Sequence, residues 1–119
     1  MAMAVMERGA DIDARGNDQK TPLHWACDKS HTEVAMALME RGADIDVSDR
    51  YQYSPLHLAC RYGRTEVAMA LMERGADIDT RDNDQRTPSH LACRYGRTEV
   101  AMALLEAYDE SSDVSSADG

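Results

Sequence analysis

Apolar positions in this chain come in short stripes at helical spacing, divided by polar stretches rich in Asp, Asn, Gly and Arg. Val34, Leu38 and Met39 form one such stripe. The pattern repeats: Pro22, Pro55 and Pro88 lie 33 residues apart, and so do His24, His57 and His90, Cys27, Cys60 and Cys93, and Gly9, Gly42 and Gly75. The segments Leu58 to Met72 and Leu91 to Leu105 differ only at their last residue. A period of this length marks stacked units, because one such unit cannot bury its apolar face alone.

Each unit reads as two short helices and a projecting turn. Thr21 supplies a hydroxyl cap and Pro22 stands at the first helical position, where its missing N–H is no loss, so a first helix is predicted from there to Lys29. Ser54-Pro55 and Thr87-Pro88 repeat the signal. Thr32, Thr65 and Thr98 read as caps of the second helices, with Glu33 in the positive first turn of its own and Gly42 as the stop. Between units, segments such as Ala43 to Tyr53 are polar and turn-rich and are predicted to be extended loops.

Thr21-Pro-Leu-His-Trp-Ala26, Ser54-Pro-Leu-His-Leu-Ala59 and Thr87-Pro-Ser-His-Leu-Ala92, each followed by a second helix, resemble the ankyrin repeat, and the 33-residue length matches it. The first two are followed in turn by Gly-Ala-Asp-Ile-Asp. The resemblance implies an all-α solenoid of helix-turn-helix units with β-turn fingers. Residues 11–43, 44–76 and 77–108 resemble three repeats, and residues 1–10 the second helix of a preceding one. Residues 109–119 are predicted to be a disordered acidic tail. The family usually places a left-handed Gly where Gln19, Gln52 and Gln85 stand, so these positions carry a strain of roughly 1 kcal/mol each. Ser30 replaces the Gly seen at 63 and 96, and Arg64 and Arg97 replace the His kept at His31. Ser89 puts a hydroxyl where Leu23 and Leu56 are expected to be buried.

Composition narrows the function. With 119 residues, no Phe and one Trp, the core must come from Ala, Leu, Met, Val and Ile in close helix packing. No uncharged apolar stretch exceeds the six residues of Val34 to Met39 and its copies, whereas a membrane span needs about 20, so no membrane partner is expected. The N-terminus lacks a signal-peptide layout, and three cysteines cannot all pair, so reduced thiols and an intracellular site, cytoplasmic or nuclear, are expected. Of the 22 acids, five lie from Glu106 onward, where there are no bases, so the net charge of −9 is concentrated in the tail.

Little of the chain suggests chemistry. His24 with Cys27, His57 with Cys60, and His90 with Cys93 share a helix face, but two ligands per unit make no zinc site, and equivalent side chains stand roughly 8 to 10 Å apart. The resemblance implies instead that each His bonds the backbone or the nearby Thr or Ser hydroxyl, with Cys in a small buried position. The Asp-x-Asp pairs at Asp11/Asp13, Asp44/Asp46 and Asp77/Asp79 lack the ligand-rich loop of a calcium site and read as solvated turn carboxylates. Most methionines, among them Met3, Met6, Met36, Met39, Met69, Met72 and Met102, are assigned to core packing. No cofactor and no catalytic activity are expected.

The resemblance implies protein binding through a concave face of fingers and first helices. Its contact positions fall on Arg15, Asn17, Asp18, Lys20, Asp28 and Lys29, then Ser48, Arg50, Tyr51, Tyr53, Arg61 and Tyr62, then Arg81, Asn83, Asp84, Arg86, Arg94 and Tyr95. Eight of these are bases and three acids. Arg50, Tyr51, Tyr53, Arg61, Tyr62, Arg81, Arg86, Arg94 and Tyr95 are the candidate binding residues for an acidic segment of a partner protein, with the tail as a competitor. Nucleic acid bound by the same basic face is the alternative reading. Neither end carries a polar cap, so end-to-end self-association, or membership of a longer array, is also expected.

Overall fold

The computed structural model describes residues 12–29 and 31–111. The half repeat at 1–10, Asp11, Ser30 and residues 112–119 lie outside the described residues. Among the described residues six helices follow in chain order: α1 (Pro22–Lys29), α2 (Thr32–Glu40), α3 (Pro55–Tyr62), α4 (Thr65–Glu73), α5 (Pro88–Arg94) and α6 (Thr98–Ser111). First helices α1, α3 and α5 pack side by side, second helices α2, α4 and α6 form the next layer, and no strand occurs among the described residues. Helix α6 runs three residues past the end that the sequence suggests for the third repeat.

Local chemistry explains where the helices begin. Ser54 and Thr87 sit in extended backbone, and their hydroxyls accept the N–H of His57 and His90. The imidazoles return the bond, each Nδ1 accepting the cap residue's own N–H at 3.1 and 2.9 Å. Thr21 and His24 form the same box. Two orphan N–H groups per helix are thus satisfied, worth about 1 kcal/mol for each cap.

The second helices start differently. Thr32 and Thr65 are not caps but first helical residues; His31 and Arg64 hold the cap positions and make no side-chain cap bond. At the other end Gly42 and Gly75 adopt φ of 90° and 89°. Their N–H groups and those of Ala43 and Ala76 close back on the last turn, to Met39 and Leu38 and to Met72 and Leu71, at 3.0 to 3.1 Å. That double closure needs a left-handed residue, which glycine supplies without a Cβ clash.

The core lies between the layers. Leu23, Leu56, Leu71, Leu91, Leu104, Val67 and Val100 are fully buried, each contributing about 1.5 to 3 kcal/mol. Val47, in the first of the two interunit loops, is buried as well. The methionine assignment is corrected: Met39 is buried and Met72 half-buried, but Met36, Met69 and Met102 face outward. They lie two residues before the buried Leu38, Leu71 and Leu104. Val34 is also exposed, at 52%, although its counterparts Val67 and Val100 are buried against a preceding unit. Ser89 is half-buried rather than buried, with Thr87 Oγ1 3.5 Å from its hydroxyl.

Neighbouring units are joined by bonds in both directions. His24 Nε2 donates to the Tyr53 carbonyl and His57 Nε2 to that of Arg86, both at 2.8 Å. In the reverse sense Arg64 donates to the Cys27 and Asp28 carbonyls and Arg97 to that of Arg61, covering exposed carbonyls at first-helix ends. The described Asp-x-Asp carboxylates are not merely solvated: the half-buried Asp13 accepts the N–H of Asp44, Asp44 that of Asp46, Asp46 that of Asp77, and Asp77 that of Asp79.

Candidate functional site

The fingers are built from the backbone outward. Asp49 N–H bonds to the Tyr53 carbonyl and Gln52 N–H to that of Asp49, at 3.0 and 2.9 Å, so Arg50 to Gln52 form a three-residue hairpin loop. Such a loop needs a left-handed last residue. Gln19, Gln52 and Gln85 occupy it at φ of 63°, 65° and 64°, as the family pattern implies. In the second and third fingers a buried carboxylate locks the turn: Asp49 accepts the N–H groups of Tyr51 and Tyr53, and Asp82 those of Asp84 and Arg86, at 2.8 to 2.9 Å. Burial alone would raise the Asp82 carboxyl, but these bonds and the Arg86 guanidinium hold it below the usual carboxylate range.

Composition alone does not single out these two aspartates, and they change the charge of the face. Lys20 pairs with Asp49 at 2.6 Å, and Arg86 with Asp82 and Asp84 at 3.0 and 3.2 Å. Arg50 meets Asp18 at 3.5 Å. Three of the eight bases are therefore compensated. The recurrence of Asp49 and Asp82 one period apart was the available signal.

Six of the nine candidate residues come together. The Arg61 guanidinium carbon lies 5.9, 5.3 and 5.4 Å from the ring centres of Tyr53, Tyr62 and Tyr95. Arg94 lies 5.8 Å from the Tyr95 ring. The Tyr53 hydroxyl accepts from Arg61 at 3.3 Å and from Arg86 at 3.2 Å. Arg94 and Arg61 push the Tyr95 phenol below its ordinary value, the first by a hydrogen bond and the second by its charge. Tyr51 and Arg50 form a second group at the finger tip, with Lys20 5.9 Å from the Tyr51 ring. Arg81 stands apart, bonded to the Gln85 carbonyl of its own finger. Arg61, Arg81 and Arg94 have no ion pair among the described residues.

The His–Cys pairs are engaged in structure. His24 and His57 are fully buried, with Nδ1 accepting from the cap N–H and Nε2 donating to the next unit. Burial holds both imidazoles below their ordinary pKa, so they stay neutral. This is the role that the family resemblance implies. Burial also pushes the Cys27 thiol up to about 12 and the Cys60 thiol up further. Cys93 departs from the buried position expected of it: it is exposed, in the last unit described, as is His90. All three cysteines are free thiols.

Away from the cluster, an open cleft of about 580 Å³ lies at the first unit, lined by Pro22, Trp25, Ala26 and Val34 among others. Trp25 is 46% exposed, whereas Leu58 and Leu91 in its place are buried. Among the described residues, no helix is long and apolar enough to cross a membrane.

Comparison with curated proteins finds no match to this chain. A family model of ankyrin repeats, in three copies, matches residues 1–82 and 49–118. The repeat length, the Thr/Ser-Pro-x-His caps, the hairpin fingers and this match agree, and the chain belongs to the ankyrin-repeat family.

Proposed function

We propose that this chain is a non-catalytic binding module that takes an acidic segment of a partner protein on the face built from its fingers and first helices. Ankyrin repeats are in general protein–protein interaction modules and in general non-catalytic. The observation that supports this face is the pair Arg61 and Arg94. Both are without an ion pair among the described residues, and both stand against tyrosine rings. A guanidinium held against aromatic rings keeps its charge and its donors available while losing less side-chain freedom on binding. The free thiols suit a reducing compartment, cytoplasmic or nuclear.

The test is titration of the protein with acidic, neutral and basic peptides of equal length. Arg61→Glu and Arg94→Glu are expected to weaken acidic-peptide binding by a few kcal/mol together, with nearly unchanged melting curves. Intact affinity in the double variant would refute the assignment. A second reading, association of copies, is favoured by the exposed Trp25 and Val34 in the first unit described and by Cys93 and Leu105 in the last. Light scattering that shows one mass across a hundredfold concentration range would refute it.

A further inference from the structure

Arg61 and Arg94 hold the same position in successive units, and the position before them in the row is Asp28. Both guanidinium carbons lie within 6 Å of one ring, that of Tyr95, at 5.4 and 5.8 Å. The backbone positions that carry them stand at the spacing of stacked helices, roughly 8 to 10 Å. A ligand that places one carboxylate over each unit has to match that helix repeat. In a β-strand, side chains on one face recur about every 7 Å or 14 Å, too close or too far. In a polyproline II segment every third side chain returns to the same side, about 9 Å on. Tyrosine-lined surfaces are also what such segments dock against, because a preformed extended chain loses little entropy on binding. Tyr53, Tyr62 and Tyr95 supply that lining around Arg61.

We infer that the Arg61–Arg94 row reads an acidic segment in the polyproline II conformation, with carboxylates three residues apart and a non-acidic residue where the row continues over Asp28. The inference rests on the proposed acidic-partner reading and adds a spacing rule to it. The lowered pKa of the Tyr95 phenol fits a local excess of positive charge. A nucleic acid strand would meet the same arginines, but its continuous charge would also meet Asp28, which the row sets against it.

The experiment is fluorescence anisotropy of the full chain with dye-labelled peptides that hold two glutamates separated by one, two or three prolines, at equal length and charge. The two-proline spacing is expected to bind at least tenfold tighter than the others, and Arg61→Glu or Arg94→Glu to remove that preference. Asp28→Arg extends the row, so it is expected to tighten binding of a peptide with a third glutamate in register by more than it tightens binding of the two-glutamate peptide. Circular dichroism melts verify that each variant is folded, and Arg61→Gln, which removes the charge while keeping a polar side chain, serves with the same expected loss of preference if Arg61→Glu unfolds. Equal affinity for all three spacings would overturn the spacing rule and leave the acidic-partner reading standing. Absence of binding to any acidic peptide would overturn both. Tight, steeply salt-dependent binding of an unrelated oligonucleotide in place of the peptides would overturn both in favour of nucleic acid.

Discussion

Replacing Gln19, Gln52 and Gln85 together by Gly isolates a backbone cost, because all three side chains are exposed while their φ values are 63°, 65° and 64°. A left-handed non-glycine residue costs about 1 to 2 kcal/mol. Glycine removes that cost but gives the unfolded chain more freedom, which returns about 0.5 to 1 kcal/mol. The net gain is about 0.5 to 1 kcal/mol per site. Because the sites lie in separate fingers, the triple variant gains about 2 kcal/mol, a rise in Tm of roughly 10 °C for a domain of this size. Urea unfolding followed by circular dichroism measures it, with an unchanged slope verifying that the unfolded state is comparable. Gln→Ala at the same three positions should give no gain, since alanine keeps the Cβ clash. A midpoint that is unchanged or lower in the triple Gly variant would show that the fingers do not hold these residues left-handed in solution.

The buried imidazoles make stability depend on pH. His24 and His57 have folded pKa values below the ordinary 6.5, so their contribution is complete above that value and is lost as pH falls toward the folded pKa, by up to about 1.4 kcal/mol per pH unit for each. Equal urea midpoints at pH 7.5 and 5.5 would contradict this. At Gly63, φ is 70° and an added Cβ would lie 2.9 Å from Arg97 Cδ, whereas at Gly96 nothing lies within 4 Å. Gly63→Ala should therefore lower stability by about 1 kcal/mol more than Gly96→Ala in parallel denaturant melts, through displacement of the Arg97 side chain, since the left-handed strain is common to both. In the native protein one thiol of three, Cys93, should react promptly with an aromatic disulfide reagent, and all three after unfolding; prompt reaction of more than one would place Cys27 or Cys60 at the surface.

Much of the architecture was legible because a 33-residue period samples each structural position three times. The Thr/Ser-Pro caps and the stop at Gly42 follow from rules local to a few residues, and the family pattern located the left-handed glutamines. Periodicity does not say which way a side chain faces. Met36, Met69 and Met102 recur as faithfully as the buried leucines, so they were assigned to the core, yet they are exposed. Thr32 and Thr65 look like caps in sequence, but the tight turn before them already closes on the preceding helix, and the hydroxyl is one residue too late. The candidate site was half legible. Tyr53, Arg61, Tyr62, Arg86, Arg94 and Tyr95 do gather, but the pairing of Lys20 and Arg86 with Asp49 and Asp82 depends on finger geometry that composition does not carry.

The bonds between units run along the stacking direction, from His24 and His57 forward and from Arg64 and Arg97 back. A pulling force applied between the two ends of the array would load these interfaces in series, and the weakest would yield first. Each detached unit would pay out 33 residues, roughly 110 Å of extended chain, before the next interface came under tension. The protein is in this sense a spring with countable steps, whose length under load reports how many of its units are still stacked.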